Sequence, residues 1–183
     1  MADGLFYLDT REPFMTVSPA AVTLAATAKA LYTPSHFPVL GGGYFGRVGK
    51  KLMIHLFGVM TTGAIPGNGS FNVYYGTGAD ANGVLLMTGT PAALTLNVTA
   101  NTWYADIIVT CITTGSAGTL RCTGMAKLNE AIQAAMQLLP NASPAVSGAC
   151  DLTAANIISV QYLRSGSTAE TMQVVDMRVV ALN

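Results

Sequence analysis

The segment Gly41-Gly-Gly-Tyr-Phe-Gly46 fits G-x-G-x-x-G, the spacing at which glycines let a backbone approach a pyrophosphate. That chemistry needs a strand before the motif and a helix after it, so that the helix N-terminus faces the phosphates. Here a proline-rich loop comes first and Arg47–Leu56 reads as a strand, which makes the segment a flexible turn. Gly49-Lys-Lys is no phosphate loop either: Tyr44 stands where the first glycine belongs, and Lys51 replaces the magnesium-binding Ser or Thr. His36 lies in a loop beside Pro34 and Pro38, His55 inside a strand-like run, and neither has a Cys or Glu motif nearby.

The acidic residues give as little. Asp106 could pair with Glu130, Asp151 or Asp176 as an acid/base couple, but isolated carboxylates on a β scaffold are usually solvated or hydrogen-bonded. Asp80-Ala-Asn-Gly83 lacks the further ligands and the terminal bidentate Glu of a calcium loop and reads as a turn. No nucleophile elbow G-x-S-x-G occurs. Trp103 and Tyr104 could form a sugar-stacking platform, yet alternation puts Trp103 on the face of Ile107 and Val109, which favours the core. The expectation is a protein without catalytic residues, cofactor or metal.

The elements that would position these residues are strands. Ala21–Tyr32 is rich in Thr, Val, Leu and Ala, and Val48–Thr62 is a mostly apolar run. Ser70–Thr77 alternates Phe71, Val73 and Tyr75 against Ser70, Asn72 and Tyr74. Val84–Thr88 and Ala93–Thr99 follow. Thr102–Thr113, with Trp103, Ala105, Ile107, Val109 and Cys111 in phase, turns through Gly115-Ser-Ala-Gly into Thr119–Leu128 as a hairpin. Asn156–Leu163 and Met172–Leu182 close the series. Lys127–Leu139 has both helical spacing (Leu128, Ile132, Met136, Leu139) and period-two alternation; we favour a strand running into a loop. Short strands with Gly-, Pro- and Asn-rich turns predict an all-β fold: a single jelly-roll-like antiparallel β-sandwich of about eight strands over residues 19–183, preceded by an irregular N-terminal arm at 1–18.

Composition narrows the function. Hydrophobic residues make up 51% and charged residues 10% of the 183, with a mean hydropathy of +0.45, against about 25% charged in an average domain. No stretch reaches the roughly 20 apolar residues of a spanning helix, so no membrane role is expected. Nor is a nucleic-acid partner: nine basic residues balance nine acidic ones, and Lys50–Lys51 is the only adjacent basic pair. Cys111, Cys122 and Cys150 have no CxxC spacing, and the N-terminus, with its acids, shows no signal peptide, so reduced thiols made in a cytoplasm are expected. So few charges on a folded domain point to a surface covered by partners, because the core of an interface is depleted in charge. The arm carries Leu5, Phe6, Tyr7, Phe14 and Met15, candidate interface residues for docking on a neighbouring subunit.

A set of strand and turn phrases resembles tailed-bacteriophage virion proteins with a jelly-roll domain. They are Tyr32-Thr-Pro-Ser-His-Phe-Pro38, Gly49-Lys-Lys-Leu-Met-Ile-His-Leu-Phe-Gly58, Thr61-Thr-Gly, Asn72-Val-Tyr-Tyr-Gly-Thr77, Trp103–Thr113 with Gly115–Gly124, and Asp151-Leu-Thr-Ala-Ala-Asn-Ile157 before a strand containing Gln161. The resemblance spans roughly residues 20–183. It implies a non-enzymatic structural protein, made in the bacterial host cytoplasm and carried on the virion. The form favoured is a capsid decoration (cement) protein that is a homo-oligomer, with a trimer favoured, and has the phage major capsid protein as partner. A tail, baseplate or fibre component is the nearest alternative. A carbohydrate- or receptor-binding module, with Trp103 or Tyr104 exposed, is the alternative from another class.

Overall fold

A computed structural model describes residues 19–133, 136–140 and 142–182. The expected arm, with Leu5, Phe6, Tyr7, Phe14 and Met15, lies outside them. Among the described residues every regular element is a strand except a three-residue 3-10 turn at Pro34–His36. The strands are β1 (Val22–Thr23), β2 (Lys29–Ala30), β3 (Lys51–Thr61), β4 (Asn68–Gly76), β5 (Val84–Thr88), β6 (Ala92–Ala93), β7 (Asn101–Thr113), β8 (Thr119–Leu128), β9 (Met136–Leu139), β10 (Ile157–Arg164) and β11 (Thr171–Ala181).

They form two antiparallel sheets. Sheet A has the order β1-β11-β3-β7-β8-β9; sheet B has β2-β10-β4-β5, with β6 also paired to β4. The chain crosses from sheet A to sheet B between β3 and β4, returns to sheet A for β7 to β9, and visits sheet B again in β10 before ending on sheet A in β11. β3 pairs with β11 in one sheet while β4 pairs with β10 in the other. The first and last long strand pairs are thus wound together.

The sandwich expected from the sequence is present, with eleven strands rather than eight. The surplus comes from short pieces. Ala21–Tyr32 divides into β1 on sheet A and β2 on sheet B, because the chain changes sheets within it. Of Ala93–Thr99 only the start pairs: Asn97 has φ 54°, which ends extended pairing, and Thr62 Oγ1 instead donates to Thr95 O and accepts from Val98 N. Lys127–Leu139 holds no helix among its described residues. β8 ends at Leu128, a turn tied by Ile132 N to Asn129 O follows, and β9 returns beside β8.

One apolar core lies between the sheets. Strand alternation aims Leu52, Ile54, Leu56 and Met60 of β3 inward, with Trp103, Ala105, Ile107, Val109 and Cys111 of β7 beside them, as their sequence phase predicts. Phe71 of sheet B meets Trp103 of sheet A at 5.6 Å between ring centroids and Tyr162 edge-on at 4.8 Å. The indole lies over Gly58 of β3, where an added Cβ would sit 2.6 Å from the ring; only glycine leaves room for tryptophan at that rung. The three cysteines are free and buried, and burial pushes the Cys122 thiol well above its usual range.

Candidate interaction face

The two outer faces of the sandwich differ. On sheet B four outward positions of β4 and β10 are polar and buried: Ser70, Asn72, Ser159 and Gln161. The β4–β5 loop folds over Gln161. Gln161 Nε2 donates to Ala79 O (3.0 Å) and Ser159 Oγ (3.1 Å), and Gln161 Oε1 accepts from Ala81 N (2.7 Å). Asp80 at the loop tip accepts from Ala30 N and from Lys29 Nζ, both at 2.8 Å. The Asp80-Ala-Asn-Gly83 segment is therefore a latch. Ala81 (φ 49°) and Gly83 (φ 105°) supply its left-handed turn.

On sheet A the outward positions are in large part apolar and exposed. Phe57 is 45% exposed, Met125 40%, Met136 51%, Leu138 63% and Val175 46%. The strand register orders them into rungs. One rung reads Arg178, His55, Asp106, Met125, Leu138 across β11-β3-β7-β8-β9; the next reads Asp176, Phe57, Tyr104, Lys127, Met136. A bulge between Val174 and Asp176 sets the second rung in phase. Beyond the first rung, Met53 of β3 lies beside Ile108 of β7. At one end of the face a pocket of about 300 Å³ opens between Phe57, Tyr104, Lys127 and Glu130.

The sequence-singled residues fall as follows. Asp106 finds neither Glu130, Asp151 nor Asp176 as partner but His55, whose Nδ1 lies 2.6 Å from its Oδ1, both side chains about 40% exposed. Sequence reading missed this pair, because it depends on the β3/β7 register. His36 is elsewhere, bonded to Thr33 Oγ1 at 2.7 Å, so the two histidines share no site. No group of three or more His, Cys, Asp or Glu able to hold a metal occurs among the described residues. Gly41–Gly46 is a pair of turns, Tyr44 N to Gly41 O and Gly46 N to Gly43 O, leading toward a strand and not a helix. Trp103 is 1% exposed and in the core, which removes it from any sugar platform; Tyr104 stays on the outer face.

No helix among the described residues is long and apolar enough to cross a membrane. Comparison with protein-family models, curated proteins and solved structures finds no match for this chain.

Proposed function

We propose that this is a non-enzymatic structural protein that associates with copies of itself and with a phage particle, as a capsid decoration protein. The observation that carries the assembly reading is the outer face of sheet A. An antiparallel sheet with one face in water normally presents polar residues there. This one exposes Met125, Leu138 and Met136 side by side on β8 and β9, with Phe57 paired to Tyr104 on β3 and β7, on a chain with only 10% charged residues. Patches of this kind mark interaction sites. The particle comes from the phage-protein resemblance, which also favours a trimer and leaves a tail, baseplate or fibre location as the alternative. On a repeated surface a modest contact per copy is multiplied by avidity.

The test is native mass by light scattering after size exclusion, alone and with empty phage heads. A discrete oligomer that co-elutes with heads is expected. A monomer that ignores heads sinks the proposal.

A second reading rests on the pocket beside Phe57 and Tyr104, where an aromatic wall meets Lys127 and Glu130. It fits a glycan. Titration with oligosaccharides that shifts the Tyr104 signals at millimolar concentration would favour it.

A further inference from the structure

We propose that two copies of this chain pack sheet A against sheet A about a two-fold axis that runs parallel to the strands between β3 and β7. The inference rests on the self-association reading above and names its surface and symmetry.

Complementarity of the face with itself supports this axis. A two-fold contact uses the same patch twice, so residue i must fit residue j while j fits i. Rotation about this axis lays β3 over β7 of the second copy and β11 over β8. On the outer rung of the pair, Asp176 then meets Lys127 and Phe57 meets Tyr104. On the neighbouring rung, His55 meets Asp106, so the two His55–Asp106 pairs form one alternating ring on the axis, and Arg178 lies over Met125. Met53 covers Ile108. Both carboxylates of the two rungs face a basic side chain of the other copy, and no like charges meet.

Displacing the axis by half a strand spoils this. Centred on β7 it sets Asp106 on Asp106; centred on β3 it sets His55 on His55. A two-fold perpendicular to the strands would match Asp176 with Arg178 but set Phe57 on His55 and leave Lys127 on Met125. The proposed overlap is four strands wide at about 4.8 Å each and about 30 Å long, on the order of 600 Å² of sheet per copy. That is at the lower end of specific, stable interfaces. Aligned packing of two such faces is the ordinary geometry of stacked sheets.

The experiment uses the full chain and charge reversal. Asp176→Lys and Lys127→Asp are made singly, combined in one chain, and mixed as separate chains in equimolar amounts; mass is followed by sedimentation against concentration. Wild type is expected to be a dimer. Each single reversal places two like-charge contacts in every homodimer and should raise the dissociation constant at least about tenfold. The equimolar mixture regains a heterodimer, because the two Lys of one chain then face the two Asp of the other. The double variant regains a homodimer. Phe57→Lys stays monomeric in every mixture, with an unchanged circular dichroism spectrum and melting point confirming its fold.

An oligomer that none of these substitutions alters overturns the face and leaves self-association standing. Loss of the dimer in Phe57→Lys without recovery in the charge-reversed mixture overturns the axis. A trimer overturns the two-fold while keeping the assembly reading. A wild-type monomer at all concentrations overturns both.

Discussion

The outer faces of the two sheets invert the usual arrangement. Sheet B turns Ser70, Asn72, Ser159 and Gln161 outward, and these polar side chains are buried. Sheet A turns Phe57, Met125, Met136 and Leu138 outward, and these apolar side chains are exposed. A polar group can be buried only if its hydrogen bonds are supplied, and the β4–β5 loop supplies them for Gln161 through Ala79 and Ala81. On sheet A, the exposed methionine, leucine and phenylalanine side chains gain nothing from water. One face is finished by the chain's own backbone, the other is suited to cover from outside. Charge is sparse on both faces, and on sheet A it is confined to a few side chains set among the apolar ones, in keeping with a charge fraction of 10%.

The sharpest break comes from neighbours on one strand. Trp103 fills the core against Phe71 and Gly58, whereas Tyr104, the next residue of β7, is on the outer face. Trp103→Ala should lower unfolding free energy by about 3–5 kcal/mol, the usual cost of emptying a large aromatic site. Tyr104→Ala should change it by less than about 1 kcal/mol at dilutions where the chain is monomeric, and should weaken association instead. Urea unfolding of the two variants checks this; equal losses would mean that the outer face is part of the fold's own core.

A second large effect tests how sheet B is anchored. Glu170 is 0% exposed at the turn between β10 and β11; its carboxylate lies 2.8 Å from Arg164 Nε and accepts from Thr168 Oγ1. Arg164 also donates from Nε to Leu24 O at 3.1 Å. Glu170→Ala leaves a nearly buried guanidinium without its counter-charge, at a cost of about 3–5 kcal/mol. Replacing both, as Arg164→Met with Glu170→Leu, should recover more than half of the loss in thermal unfolding. No recovery would place the cost in the turn's backbone rather than in the stranded charge.

These elements were unequally legible in the sequence. The inward phase of Trp103 to Cys111 follows from period-two alternation alone, and the hairpin with Thr119–Leu128 from a short glycine-containing loop. Ser70–Thr77 reads as a half-buried strand for the same reason, and there the pattern misleads: Ser70 and Asn72 are buried as well as Phe71 and Val73, and burial of the polar side is a tertiary fact. The His55–Asp106 pair and the two charged rungs depend on which residue of β3 stands opposite which of β7, and on the bulge in β11. Neither quantity has a local signal. The low charge content raised the expectation of a partner-facing surface without a signal for which face it would be.

A middle-sized effect compares the two faces directly. Gln161→Ala removes three hydrogen bonds beneath the latch and leaves Ala79 O and Ala81 N with lost partners, at about 1–3 kcal/mol. Met125→Ser, on sheet A, should stay within about 0.5 kcal/mol in the monomer. Amide exchange should show the contrast by location, with faster exchange at Ala81 in the first variant and no change around β8 in the second.

The smallest effect lies in the latch itself. Burial alone would raise the Asp80 carboxyl, but the hydrogen bonds from Lys29 and Ala30, with the lysine's charge, outweigh it and hold the group below its ordinary value. A carboxylate depressed in the folded chain adds stability that is present above the unfolded value of about 4. That stability is lost as pH falls through the folded value, because the native state must then take up a proton. Asp80→Asn should therefore be less stable than wild type at neutral pH, and the gap should close on acidification below about pH 4. Lys29 and Asp80 are 34% and 43% exposed, so solvent screening keeps the gap below about 1 kcal/mol. Salt should shrink only part of it, since the bond from Ala30 N is a backbone contact that ions do not replace. A gap that stays constant down to pH 2 would mean that Asp80 holds the loop through geometry and that its charge contributes nothing.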